Sequence, residues 1–213
     1  MRHETRYGAS LIAGSVVLLI MGVIHPSAIP FSDGGALARV AFIDRWAHSL
    51  AIVGVWLVLV GLVGLSRMLG LQRVTVTAAL LAFALPTVGL MAAATFDGFV
   101  LPVLAEQWID ADSLARGELK ELIRFCVLVA SSLTRVYMLL GAVAISLWSW
   151  VVHRDRLGQA LPCAGAVVAA AAIATLFGGP AYVSAHEVLV LVIGQTVWMV
   201  LAALLMIRRH LPT

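Results

Sequence analysis

Six stretches of nearly unbroken apolar residues run along the chain, at about 9–25, 46–66, 74–96, 124–152, 162–179 and 184–207, separated by short segments carrying charge, proline or glycine. A helix rising 1.5 Å per residue needs about 20 apolar residues to cross a hydrocarbon core roughly 30 Å thick, and these runs match that length. The pattern predicts an all-α polytopic membrane protein, a bundle of six transmembrane helices forming one integral membrane domain over residues 1–213, without room for a separate soluble domain. The first run follows basic residues in a signal-peptide manner, but no small-residue cleavage site precedes His25, Pro26 and Pro30, so it reads as a retained first helix.

One segment outside the runs has its own pattern. After Asp97 the chain reads GFVLPVLAEQWIDADSLARGELKELIRF, alternating charged and apolar positions. Asp112 or Ser113 suits a helix N-cap, and Leu114, Leu119, Leu122 and Ile123 make a partial apolar face. This predicts an amphipathic segment along the outer membrane surface that runs into the fourth span.

Composition strengthens the membrane reading: 62% of residues are apolar and 12% charged, against about 25% charged in soluble domains. Placing the N-terminus in the cytoplasm puts Arg2, Arg6, Arg67, Arg73, Arg154, Arg156, Arg208 and Arg209 inside with only Glu4 and Asp155, while the other nine acids fall outside. Arginines in short inner loops orient spans, so both termini are expected in the cytoplasm, in the manner of a bacterial inner-membrane protein. The net charge of +3 is spread over membrane flanks and forms no stripe suited to nucleic acid. Lipid headgroups are the expected partners, with other membrane subunits or a second copy of the chain as the remaining class. Trp46, Trp148 and Trp150 suit an interfacial belt. Cys126 and Cys163 fit no metal or disulfide spacing and read as packing residues.

Counting from the inner arginines brings out a polar layer. His25 lies 19 residues after Arg6, His48 19 before Arg67, Arg135 19 before Arg154, and His186 22 before Arg208. These offsets place all four about 28–33 Å from the inner charges, near the outer edge of the core. Asp97 ends the third span and Glu187 follows His186, beside the same level. An arginine within a span is costly unless it snorkels or pairs, so Arg135 is either a functional group or a structural partner of Asp97 or Glu187.

Several kinds of chemistry fit such a layer. Histidines on facing helices can ligate haem b from two sides, with Arg135 on a propionate, or hold a divalent metal ion such as zinc or copper at His25, His48 and His186. The leading reading is a small redox membrane protein that binds haem b or a metal ion through these histidines. The alternative needs no cofactor: a transporter or lipid- or anion-binding protein that uses Arg135, Asp97 and Glu187 as its substrate-binding groups. A structural membrane subunit is the third reading. No Walker loop, dinucleotide fingerprint, nucleophile elbow or HExxH motif is present, so no catalytic residue is assigned. Whether the three imidazoles converge depends on helix rotation.

Overall fold

The structure, a computed structural model, describes residues 3–25, 34–178 and 185–209, and the side chains of 176–178 and 185–188 lie outside that description. Among the described residues every regular element is helical: α1 (His3–Ile24), α2 (Gly34–Leu69), α3 (Val74–Thr95), α4 (Leu101–Asp110), α5 (Ser113–Arg154), α6 (Ala160–Gly178) and α7 (Ala185–Arg208). A π-helical turn, Phe96–Val100, joins α3 to α4 without a break. Five continuous helical segments are long and apolar enough to cross a membrane, and α6 adds a shorter apolar helix over Ala160–Thr175. The membrane-spanning helical bundle expected from the apolar runs is therefore present. The first run is part of it, since α1 packs against both α2 and α7.

Neighbour order follows from packing. α1 lies between α2 and α7, α3 packs on α2 and α5, and α6 closes the circuit between α5 and α7. Its interior at the arginine-rich end is built from Leu11, Leu62, Phe83, Ile145, Trp148, Trp198 and Met206, all nearly inaccessible. Trp148 is fully buried, so it is not a belt residue: its indole stacks on Trp198 and donates to Ser66 Oγ at 3.1 Å. The reason is rotational, because helical spacing turns Trp148 inward while Trp150, 60% exposed, faces out with Trp46. Within the apolar interior, Trp198 donates to Ser149 Oγ and Tyr137 to Gln195 Oε1, so these buried polar groups are satisfied.

Glycine sets the approach of α1 to α2. A Cβ on Gly14 would fall 2.6 Å from the Gly54 carbonyl oxygen and 2.7 Å from the Val58 nitrogen, and one on Gly64 would overlap the Tyr7 side chain. Small residues allow backbones to meet at this distance, and in lipid that dispersion contact replaces the hydrophobic force absent between apolar helices.

Three segments greatly exceed a bilayer, one of them the continuous α3–α4 segment Val74–Asp110 with 37 residues. α5 has 42 residues and α2 has 36, about 63 and 54 Å at the helical rise. The amphipathic segment expected before the fourth span is there and runs into it, but as the opening turns of the unbroken α5, so it extends the span instead of lying apart from it. Asp112 is its N-cap, accepting from the backbone N–H of Leu114 and Ala115. Arg116 turns back to donate to the carbonyls of Trp108 and Ile109, which closes the α4–α5 hairpin. Arg45 on α2 pairs with Glu106 on α4 at 2.7 Å and fastens α2 to the same hairpin.

At the opposite end Arg73 pairs with Asp155, tying the α2–α3 connection to the α5–α6 connection. α5 ends in a Schellman motif: Leu157 N–H bonds to the Val152 carbonyl and Arg156 N–H to the His153 carbonyl. Its left-handed position, φ 55°, is held by Arg156 where glycine is usual. An L side chain there costs about 1–2 kcal/mol.

Substituting Gly14 by alanine is expected to lower unfolding stability in detergent by about 1–3 kcal/mol through overpacking. Gly117→Ala, on open surface within α5 with nothing within 4 Å of the added carbon, is the control and should be neutral or stabilising. Equal thermal melts for the two variants would contradict glycine-mediated packing of α1 on α2.

Candidate metal centre

The end of the bundle away from the arginine-rich connections gathers four ionisable side chains from three elements. His25 follows the last turn of α1, Asp44 and His48 sit one turn apart on α2, and Asp97 lies in the π-helical turn. The i, i+4 spacing puts Asp44 and His48 on one face of α2. That face is turned inward: His48 is 8% exposed and the Asp44 side chain 13%.

The π-helical turn has a cause in sequence. Pro102 has no N–H, so it cannot complete the bond to the carbonyl of residue 98, and its ring crowds that carbonyl. The ladder widens, and Leu101 N–H bonds instead to the Phe96 carbonyl. Gly98, buried in this turn, lies against His48: a Cβ there would fall 2.3 Å from His48 Cβ and 2.7 Å from Nδ1. Absence of a side chain at 98 thus lets Asp97 reach the imidazoles of α1 and α2.

Distances within the cluster are short. His25 Nε2 is 3.2 Å from Asp97 Oδ2 and 3.6 Å from Asp44 Oδ1. His48 Nε2 is 3.3 Å from the same Asp97 oxygen, and its Nδ1 is 3.2 Å from Asp44 Oδ1 and 2.9 Å from the Asp44 carbonyl oxygen. The two rings meet edge to face with centroids 5.0 Å apart. Asp44 Oδ1, although within ion-pair distance of both rings, is buried without an aligned hydrogen bond.

The donor inventory exposes a conflict that some cation must resolve. His48 Nδ1 faces two acceptors on Asp44 and therefore carries a proton, which leaves the Nε2 lone pair pointing at the Asp97 carboxylate in the neutral ring. Among the described residues His25 Nε2 likewise faces carboxylate oxygens. The site is consistent with two imidazolium rings opposite two carboxylates, or with neutral rings around one divalent cation, and both states are electrically balanced. The hydrogen bond that His25 donates to Asp97, with the two carboxylates' charge, holds its ring above the ordinary imidazole range against the opposing effects of burial and of His48.

A metal ion fits the second state. The ligand atoms offered by His25, Asp44 and His48 lie within 4.8 Å of one another, so this group could hold an ion. Bonds near 2.1 Å to nitrogen and oxygen put neighbouring tetrahedral ligands about 3.4 Å apart. The contacts of Asp97 Oδ2 with His25 Nε2 at 3.2 Å and with His48 Nε2 at 3.3 Å, and that from His25 Nε2 to Asp44 Oδ1 at 3.6 Å, bracket that value. A proton on His48 Nδ1 bonded to a carbonyl is also the outer contact that orients a ligating imidazole. Haem fits poorly, because a porphyrin ligated on both faces must separate its two imidazoles, and here the rings touch with a carboxylate oxygen against both Nε2 atoms.

Of the residues singled out in sequence, His25, His48 and Asp97 come together. Arg135 is half-buried on α5 and makes interactions of its own, but the ion pairs of the cluster run among His25, Asp44, His48 and Asp97. His186 and Glu187 stand on the first turn of α7, and their side chains lie outside the described residues. Asp44 was missed by counting depth alone. Its signal was the Asp-x-x-x-His spacing in DRWAH, which places two ligand types on one helical face. Comparison with protein-family models, curated proteins and solved structures gave no match to this chain.

Proposed function

We propose that this membrane protein binds one divalent first-row transition-metal ion at the end of its bundle, through His25 Nε2, His48 Nε2, Asp97 and Asp44. The observation that carries the reading is the convergence of two imidazoles and two carboxylates from three helical elements at metal-ligand spacing, around the buried and unsatisfied Asp44 Oδ1. Two nitrogens and two oxygens without thiolate or thioether suit zinc, iron or manganese better than monovalent copper. Of the two cofactors considered for a redox protein, the geometry favours a metal ion over haem. The identity of the ion then decides the redox question, since iron or manganese would carry electrons and zinc would not.

The chelator-stripped protein, titrated calorimetrically with Zn²⁺ and with Mn²⁺, is expected to take up one equivalent of at least one of them. His25→Ala and His48→Ala should each weaken uptake about 100-fold or more, and metal at 100 times its dissociation constant should stabilise the fold by about 2.7 kcal/mol. Uptake that is substoichiometric, or that survives both substitutions, would sink the proposal. Metal analysis of protein purified without chelator then names the native ion.

Gly98→Ala tests the supporting contact. The added carbon must move His48 or the π-helical turn, so metal affinity should fall about 10–100-fold, as when an orienting group is lost. Unchanged affinity in a variant that melts normally would show that Gly98 does not position the site.

We further infer that the arginine-rich end faces the cytoplasm, which places the metal centre on the outer side of a bacterial inner membrane. The support is the concentration of Arg67, Arg73, Arg154 and Arg208 at the ends of α2, α3, α5 and α7. Cys163, exposed at the start of α6, is a native reporter, whereas Cys126 is buried. A membrane-impermeant maleimide should leave intact cells unlabelled and modify Cys163 after permeabilisation. Labelling of intact cells would reverse the orientation.

A further inference from the structure

A pocket of about 590 Å³ at the arginine-rich end, remote from the metal centre, is lined by Trp150, His153, Arg154, Arg156, Gly158 and Gln159. We propose that it binds a phosphate anion, with the headgroup of an anionic phospholipid as the expected source. Its lining holds two guanidinium groups, an imidazole and an amide, and no carboxylate. The neighbouring acid, Asp155, is taken up by Arg73, with Arg154 only marginally in reach at 3.8 Å. α6 begins at Ala160 against the same pocket, and a helix start presents N–H groups that lack intrahelical acceptors.

Part of this arrangement has an ordinary explanation. His153 and Arg154 stand in the last turn of α5, where cations complement the helix carbonyls. That account leaves Arg156 over. It occupies the left-handed position of the Schellman motif, which glycine would fill without strain, and the capping bonds are made by backbone atoms alone. The side chain therefore adds nothing to the cap, while it lines the pocket. Gln159 also lines it, with its Oε1 3.3 Å from His153 Nδ1. Trp150, exposed beside the pocket, has the amphipathic ring found at headgroup level, its centroid 6.4 Å from the His153 ring. The lipid source follows from that ring, which is exposed where it lines the charged pocket.

Arg156→Gly separates binding from folding, because glycine relieves the backbone and should melt at the same or a higher temperature than the parent. Full-length protein, delipidated in neutral detergent, is titrated with phosphatidylglycerol, phosphatidylcholine and inorganic phosphate, and bound lipid is counted by native mass spectrometry. Phosphatidylglycerol is expected to bind in preference to phosphatidylcholine. Arg156→Gly should weaken it roughly fivefold, and Arg154→Gln with Arg156→Gly about tenfold or more. Arg67→Gln, which removes a charge from the same end but outside the pocket, should leave it unchanged. Inorganic phosphate binding with the same sensitivity, without lipid binding, would uphold the anion site and assign it to the free ion. The proposal is overturned if Arg156→Gly binds lipid and phosphate like the parent, or if Arg67→Gln weakens them equally.

Discussion

Two carboxylates, Asp44 and Asp97, share a space with two imidazoles at the end of an apolar bundle, and their charge must be balanced where it stands. Coulomb energy between unit charges a few ångströms apart grows as the dielectric falls, so an unpaired carboxylate there would be expelled or would neutralise itself. The arrangement therefore imposes a condition on everything around it. α1, α2 and the π-helical turn must each deliver a group to the same few ångströms, because the loss of any one leaves the others uncompensated.

Close packing meets that condition. Contact of Gly14 with the backbone at Gly54 and Val58 sets how closely the first hairpin's helices approach, and so carries His25 over the inward face of α2 that holds Asp44 and His48. On the other side, Pro102 widens the ladder between α3 and α4, and Gly98 then lets the widened turn sit directly on His48. Neither glycine nor proline bears any chemistry. Their effect is to fix distances between groups that do, and a side-chain carbon at position 14 or 98 would have to displace a backbone or the imidazole itself. Arg45 and Glu106 add a further tie between α2 and α4 above the cluster.

The parts of this structure legible in sequence were those governed by one-dimensional rules. Apolar run length disclosed the membrane-spanning helices, and Asp112 announced the start of α5 because N-capping is local. Counting from the arginines brought His25 and His48 to one depth, which is a matter of rise per residue, and the end of the third run put Asp97 beside it. Rotation about each helix was not legible, since an almost uniformly apolar span has no polar face to point away from the core. That is why Trp148 seemed an interfacial residue and is buried, and why Arg135 at matched depth could not be assigned to the cluster. Asp44 escaped for a different reason: it lies two residues before the second apolar run, and the depth count did not include it although its spacing to His48 was in plain view. The π-helical turn depends on how the chain accommodates Pro102, and no apolar periodicity encodes it.

The two ends of the molecule solve the same electrostatic problem by opposite means. At the histidine–aspartate cluster, acids and imidazoles from three elements are set against one another within ion-pair distance. At the other end Arg73 takes up Asp155, and the arginines that remain stand at the surface, where water and anionic headgroups supply the counter-charge. Arg156 marks the difference most clearly. Its backbone accepts a disfavoured conformation in a cap that needs no side chain, whereas the strain-free choice at that position, glycine, would leave the pocket without one of its two guanidinium groups. An arginine that stands against its local backbone preference points to a contact outside the fold, and for a guanidinium at a membrane boundary that contact is an anion.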